Sequence, residues 1–454
     1  MNALNGLGWS GIFRLGLVQT CLGSIVVLTT STMNRVMVVE YALPAMLPGV
    51  LVALHYIIQL TRPCFGYGSD VGGRRTPWIV GGMSVLAMGG IGASAGTALM
   101  GSNAALGVTI AFISFMLIGL GAGSAGTSLL ALLAKRVEET RRAAAATIVW
   151  VMMIAGFALT AGIAGSFLDP FTPMRLVSVT AVVALIAIVV TMLALYRLEP
   201  LADSNRVPEV AAGGDDQASF VTAFIEIWRE EEARRFTIFV FVSMLAYSAQ
   251  DLILEPFAGT VFGMTPGEST SLSGLQHAGV LLGMILVALG GTLLRPVSGS
   301  LRAWAIGGCI ASAAALVGIS ISGFYPSSWP LHATVFVLGA ANGAFAVAAI
   351  GSMMTLAGRG RSNREGLRMG VWGAAQAIAF ATGGFIGTAA IDLMRGLVDD
   401  PSLAYAFVFC AEALLFLLAA ILAVRAIRRY PPVEKRRFAI LGDVAMADFA
   451  REQT

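Results

Sequence analysis

Apolar positions along this chain fall in continuous runs rather than in alternation. Twelve runs can be drawn, at 15–41, 45–66, 78–100, 104–133, 144–168, 173–196, 236–262, 270–293, 303–323, 330–357, 369–391 and 403–425. Each is near the ~20 residues that an α-helix needs to cross a bilayer. The runs are rich in Gly and Ala and lack a period of two, so they do not read as barrel strands. The pattern predicts an all-α membrane protein with twelve transmembrane helices. Composition strengthens this reading: 57% of residues are hydrophobic and only 12% charged, against about 25% charged in a soluble domain. The first span follows Arg14 with no small-residue cleavage site before the next span, so no cleavable signal is expected.

Charge sets an orientation. With the N-terminus placed inside, all but three of the 29 Lys and Arg fall in the inner loops, span ends and tails. Arg35, Arg175 and Arg395 are the exceptions. A bias of this kind predicts cytoplasmic N- and C-termini. The basic loops 134–146 and 358–370 are read as orientation signals that touch anionic lipid head groups. No soluble basic face with interleaved aromatics exists, so nucleic acid is not expected as a partner. Cys21, Cys64, Cys309 and Cys410 stand singly in apolar segments, which supports neither a disulfide framework nor a zinc site.

The chain also repeats itself. At an offset of 222, Pro44 matches Pro266, His55 matches His277, Gly121 matches Gly343 and Arg142 matches Arg364. Val149 and Trp150 match Val371 and Trp372, and Gly162 and Gly165 match Gly384 and Gly387. Two pseudo-symmetric six-helix bundles of parallel topology, 1–198 and 236–428, are the plan of a major-facilitator transporter. Residues 199–235 form the cytoplasmic connection, polar and flexible at first. Over 219–236 they carry a helix expected to lie on the membrane surface. Residues 429–454 are read as a cytoplasmic tail.

The sharpest local feature is "GYGSDVGGRR" (66–75) between spans 2 and 3. It resembles the major-facilitator loop signature Gly-x-Leu-x-Asp-Arg-x-Gly-Arg-Arg/Lys. Gly66, Asp70, Gly73, Arg74 and Arg75 fit it, whereas Gly68 and Val71 depart from its Leu and Arg. The glycines would allow a tight turn, and Asp70 could pair with a cation or with the positive end of a neighbouring helix. The resemblance implies a gate that locks the halves in one access state; the alternative is that the arginines only set topology. The matching segment of the second half, 292–303, has no carboxylate, so any such lock is one-sided.

A closer likeness lies in "NRVMVVEYALPAMLPGVLVALH" (34–55), followed by Arg62-Pro63 and Ser69-Asp70. "GAGSAGTSLLALLAKRV" (121–137) and "AAAATIVWVMMIAGFA" (143–158) extend it. In these segments the chain resembles the PucC-type bacteriochlorophyll-delivery family, a major-facilitator branch of phototrophic bacteria. Its compact "SDVGGRRTPWI" loop is more like the branch encoded among pigment-synthesis genes. The resemblance implies a bacterial inner membrane of the intracytoplasmic photosynthetic type. It also implies bacteriochlorophyll or a precursor as ligand or cargo, with no tightly bound cofactor. Light-harvesting polypeptides or pigment-synthesis enzymes would be the partners.

Ionisable groups inside the spans supply the candidate site residues. Arg35 lies 21 residues beyond Arg14, roughly 32 Å along a helix, so it is placed near the outer interface where it can snorkel. Glu40 lies beyond it, and on a regular α-helix the two stand about 140° apart, which argues against a direct pair. Asn34, Arg35 and Glu40 are read either as helix-end anchors or as a polar mouth between the halves. Asp251 and Glu255 share a helix face, and Asp251 lies roughly 24 Å past Arg235. A charged carboxylate at the bilayer centre costs about 2.5–3.5 kcal/mol on insertion scales, so it should face a cavity or a partner. Proton coupling and pairing with Arg35 across the halves are the two readings.

His55 lies near midplane, and His277 is its repeat mate, in a chain with only three histidines. Neutral imidazole is a good axial ligand for a chlorin magnesium; the alternative is a hydrogen-bonded core residue satisfied by Gln59 or Gln276. Trp150 and Trp372 could stack on a flat ring or simply pack in the core.

Two other functional classes fit less well. One is a proton-coupled exporter of a small hydrophobic solute. The other is a membrane enzyme of pigment synthesis, for which no Asp-rich prenyl-diphosphate motif, dinucleotide fingerprint or metal cluster is present in the sequence. The loop signature yields a first testable outcome. Asp70→Asn is expected to impair function while membrane abundance, measured by immunoblot, stays near wild type; full function would reduce the charged knot to a topology signal.

Overall fold

The computed structural model of the protein describes residues 7–71, 74–199, 228–293, 301–357 and 365–427. Grouped by continuity, the described residues form twelve helices. The first half holds α1 (Trp9–Glu40), α2 (Met46–Thr61, continuing as Arg62–Val71), α3 (Thr76–Met100), α4 (Ala104–Arg136), α5 (Glu139–Leu168) and α6 (Pro173–Leu195). The second holds α7 (Glu231–Phe262), α8 (Pro266–Leu293), α9 (Leu301–Ser322), α10 (Leu331–Ala357), α11 (Glu365–Leu397) and α12 (Pro401–Ala426). Eleven of them carry stretches long and apolar enough to cross a membrane, and the apolar part of α2 is shorter. The predicted surface helix at 219–236 lies mostly outside the described residues, as do the tail beyond Ile427 and the linker from 200 to 227.

Helices extend past the apolar runs because their charged ends remain helical. The segment between spans 2 and 3 shows the largest departure. Instead of a tight loop from residue 66, the chain passes through a single 3₁₀ turn at Gln59–Thr61 and stays helical to Val71. Gly66 and Gly68 are therefore helical residues. A Cβ on Gly68 would lie 2.8 Å from the Trp78 ring, so glycine there serves close packing of the end of α2 against α3.

Each half packs around its own core. Ile12, Leu86, Phe115, Ile118 and Leu176 belong to the first, and Phe239, Leu316, Phe345 and Phe416 to the second. Large apolar side chains such as Leu159, Phe167, Leu193 and Leu414 are exposed around the outside. That belt suits contact with lipid, where outward apolar surface carries no hydration cost.

The repeat seen in the sequence is a repeat of packing. In the first half α1 packs on α5 and α6, α3 on α4 and α6, and α2 on α4. In the second half α7 packs on α11 and α12, α9 on α10 and α12, and α8 on α10. The halves meet along two seams that the same two-fold exchanges, α5 with α8 and α2 with α11, while α1 faces α7 between them. At the α5–α8 seam the backbones nearly touch: a Cβ on Gly274 would lie 2.7 Å from the Gly162 amide nitrogen and 3.0 Å from the Ala158 carbonyl. Gly274→Val is therefore expected to lower the yield and melting temperature of detergent-purified protein. Gly307→Val, where the added carbon meets open space, should leave both near wild type.

Candidate functional site

Helix α1 is not a regular α-helix. It contains two π-helical turns, Leu28–Thr32 and Val36–Glu40. A π turn closes i to i+5, so Glu40 comes over Arg35 and the two form an ion pair. The regular-helix argument against that pair fails for this reason. Nor does Arg35 snorkel: it is 2% exposed, and its Nη2 donates 2.5 Å to the Met264 carbonyl at the end of α7. Asn34 donates 2.6 Å to the Leu252 carbonyl. The Ser31 hydroxyl donates to Glu255 and lies 2.9 Å from the Ser273 hydroxyl, while Thr32 and Thr270 share a hydroxyl bond at 3.1 Å. Asn34, Arg35, Glu40 and Glu255 thus come together where α1 meets α7 and α8.

Two further carboxylates join the halves at the same end, and the sequence reading missed both. Asp392, near the end of α11, accepts from the Ala45 amide at 2.8 Å and the Met46 amide at 2.7 Å, at the start of α2. Asp169, at the end of α5, accepts from the Thr265 hydroxyl at 2.6 Å and the Gly267 amide at 3.2 Å, at the start of α8. Each half uses the end of its fifth helix to cap the N-terminus of the other half's second helix. A carboxylate there satisfies orphan amides and faces the positive end of the helix dipole. The available signal was an acidic residue 223 positions away, one off the repeat spacing, with Pro44 and Pro266 marking both helix starts. These cross-half contacts close the face opposite the chain termini.

Asp251 departs from its neighbour. It lies against Gln276 of α8 and interacts with Tyr56, Tyr247 and Glu412, whereas Glu255 turns toward Ser31 and feels Arg35 only through space. Glu412 on α12 is 3% exposed, and neither carboxylate oxygen has a hydrogen-bond partner. Gln250, fully buried on α7, likewise has both amide atoms unpaired. The lone acid in the middle of span 12 was the signal for Glu412.

The histidines sit at the two seams. His55 is 2% exposed, and its Nε2 lies 2.8 Å from Gln59 Nε2. Arg62 donates to Gln59 Oε1. His277 is 7% exposed, with Nδ1 2.9 Å from the Ser273 carbonyl and its ring edge-on to Phe157 of the other half at 5.1 Å. Gln276, an expected partner, goes to Asp251 instead. From His55 a file of rings crosses into the second half: Tyr56 to Phe380 at 5.3 Å, Phe380 to Tyr247 at 5.8 Å, Tyr247 to Phe345 at 6.3 Å. Tyr56 also lines an apolar groove of about 400 Å³ between α2, α4 and α11, with Ala53, Phe112, Ala377, Ala381 and Phe385 on its walls. The tryptophans are not part of this arrangement. Trp372 is buried in the core of the second half, edge-on to Phe236 at 5.0 Å, and Trp150 is half-buried on α5.

At the charged knot, Gly73 and the side chain of Asp70 lie outside the described residues. What the structure places there is Glu199, just past α6. It accepts from the Arg75 amide at 2.9 Å, the Thr76 amide at 2.8 Å and the Thr76 hydroxyl at 2.8 Å. The positive end of α3 is thus taken by a carboxylate of its own half. Among the described residues no group of three His, Cys, Asp or Glu side chains is placed to hold a metal ion.

Two six-helix bundles related by a two-fold, closed at one end over a central polar cluster, define a membrane protein of the major-facilitator fold. Solved transporters superpose on it. A proton-dependent oligopeptide transporter matches with TM-score 0.69 at 15% identity, over 92% of this chain and 98% of its own. The nucleoside transporter NupG matches with TM-score 0.66 at 13% identity, over 92% of this chain and 100% of its own. Within that fold the chain belongs to the PUCC protein family, whose model matches residues 32–430. It is 51% identical to the "Bacteriochlorophyll synthase 44.5 kDa chain" of Rhodobacter capsulatus, over 92% of this chain and 95% of the relative. Protein PucC of the same organism is 29% identical over 92% of this chain and 93% of its own length.

The capping pair generates a testable outcome. Nitroxide labels at Ser102→Cys and Ser327→Cys, exposed on the closed face, would report the separation of the halves after the four native cysteines are replaced by Ala. Asp169→Ala with Asp392→Ala is expected to move the distance distribution to longer values, and each single change to broaden it. An unchanged distribution would reduce both residues to local helix caps.

Proposed function

We propose that this protein shelters and delivers bacteriochlorophyll, or a late precursor, for assembly of pigment–protein complexes. The observation that carries the reading is the pair of seams between the halves. Each holds a buried histidine beside aromatic rings, and the α2–α11 seam opens sideways into an apolar groove. Ligand sites of this kind are mostly apolar with a few placed polar groups. The relative named as a bacteriochlorophyll synthase chain supports the same ligand class. A role as cargo holder beside a synthesis enzyme accommodates that name without assigning chemistry to this chain.

The distribution of Lys and Arg supports cytoplasmic termini in a bacterial inner, intracytoplasmic photosynthetic membrane. The face closed by Arg35, Asp169 and Asp392 would then be periplasmic, leaving the cytoplasmic face and the lateral groove as routes for cargo. Light-harvesting polypeptides or pigment-synthesis enzymes are the partners this role requires. The buried carboxylates Asp251, Glu255 and Glu412 favour one second reading, a proton-coupled exporter of a hydrophobic solute; solute flux that dissipates a proton gradient in proteoliposomes would establish it. For the main reading, deletion of the gene in a phototrophic host is expected to lower assembled antenna or total bacteriochlorophyll, read from membrane absorption spectra, without slowing non-phototrophic growth. Unchanged pigment–protein complexes would remove the proposal.

A further inference from the structure

The two seams related by the two-fold differ in how closely their helices meet. At α5–α8, a Cβ on Gly274 would lie 2.7 Å from the Gly162 amide nitrogen, and one on Gly267 would lie 2.5 Å from the Gly165 carbonyl. One repeat away on α2, Val52 stands in place of Gly274, Tyr56 in place of Ala278 and Ile57 in place of Gly279. Backbone contact between membrane helices needs small residues, and α2 does not supply them here. The α2–α11 seam instead borders the apolar groove of about 400 Å³, with Tyr56 and Ile57 on its walls.

The walls run from Val50 to Leu60 on α2 and from Ala377 to Phe385 on α11, roughly 15 Å and 12 Å of helix. A helical segment 15 Å long and 10 Å across fills roughly 1,200 Å³, so the groove has room for a single chain and not for a partner's helix. Ile57, Leu60, Phe112 and Ile378 are exposed along it, which puts its mouth on the lipid side. Only Tyr56 and Thr382 among the lining side chains are polar. The Thr382 hydroxyl donates 2.7 Å back to the Ile378 carbonyl, and the Tyr56 hydroxyl is buried, where it interacts with Asp251. The side chains therefore offer an occupant hydrocarbon contact alone. Lipid is already apolar, so entry gains little from transfer, and fit decides what stays. Ala377 and Ala381 stand one turn apart on α11, roughly 6 Å, with Ala53 on the α2 wall. Short side chains at that interval leave bays, and methyl branches recur at a similar interval along an isoprenoid chain.

We propose, resting on the pigment reading above, that this groove holds the isoprenoid tail of the cargo. The protein then takes the prenyl-esterified pigment and passes over the free acid, so the reaction that supplies it is prenyl esterification of a ring carboxylate. The test uses purified protein in phosphatidylcholine nanodiscs. Three ligands are added separately: bacteriochlorophyll, the same ring with a free carboxylate, and the same ring esterified with a straight hexadecyl chain. Wild-type protein is expected to retain the prenyl ester at least tenfold better than the free acid and severalfold better than the hexadecyl ester. Ala53→Leu with Ala377→Leu, which fills the groove from both walls, should bring the prenyl ester down to the level of the free acid and leave the free acid unchanged. The melting temperature shows whether the double variant folds, and Ala377→Leu alone should give a smaller loss in the same direction. Ala374→Leu, exposed on α11 outside the groove, should change nothing. Equal retention of prenyl ester and free acid by the wild type would overturn the tail site and leave the pigment reading standing. Equal retention of the two esters would overturn the isoprenoid assignment and make the groove a site for any acyl chain. Retention of none of the three rings would overturn the pigment reading and the tail site with it.

Discussion

The π-helical turns of α1 are the constraint on which the contact between the halves rests. A regular α-helix would leave Arg35 and Glu40 on different sides, with the buried Glu255 reaching Arg35 only through space. The wider turn brings Glu40 over the guanidinium, so a buried cation arrives at the seam already paired. Its Nη2 can then reach the Met264 carbonyl. A buried charge is tolerated only when paired and hydrogen-bonded. In hydrocarbon, where no water fills the gap, that requirement is stricter still. Ser31, Thr32 and Asn34 lie on and beside the first π turn and find their partners in the second half.

Around that centre the two-fold organises everything else. The α5–α8 and α2–α11 seams are the same contact made twice, each fastened by a carboxylate on the opposing helix start. Helix N-termini in a bilayer hold several unsatisfied amides, and a loop exposed to water is not always at hand to solvate them. Taking the cap from the other half turns a local need into a bond between bundles. Such a bond has discrete made and broken states, the property a conformational gate requires.

Symmetry of the backbone does not extend to the chemistry of the seams. His55 and His277 occupy equivalent places, yet one is held by a side-chain relay and the other by a backbone carbonyl. Halves related by a repeat share a scaffold, while the neighbours at i+4 or i−4 differ between them. The buried Glu412 and Gln250 have no counterpart among the residues the repeat aligns.

The sequence by itself determined the all-helical membrane-spanning plan, its two halves and the family. Those properties depend on hydropathy, internal repetition and motif, all of which are legible along the chain without its contacts. It also supplied the His55–Gln59 pair, a contact one turn apart on one helix. Tertiary structure decided the rest. The Arg35–Glu40 pair depended on a helical register set by packing against the other half. The helical state of residues 62–71 overrode the turn signal of their glycines, because Trp78 packs against Gly68. Asp169, Asp392 and Glu199 act through partners far away in the chain, so nothing in their local sequence distinguished a cap from a solvated charge.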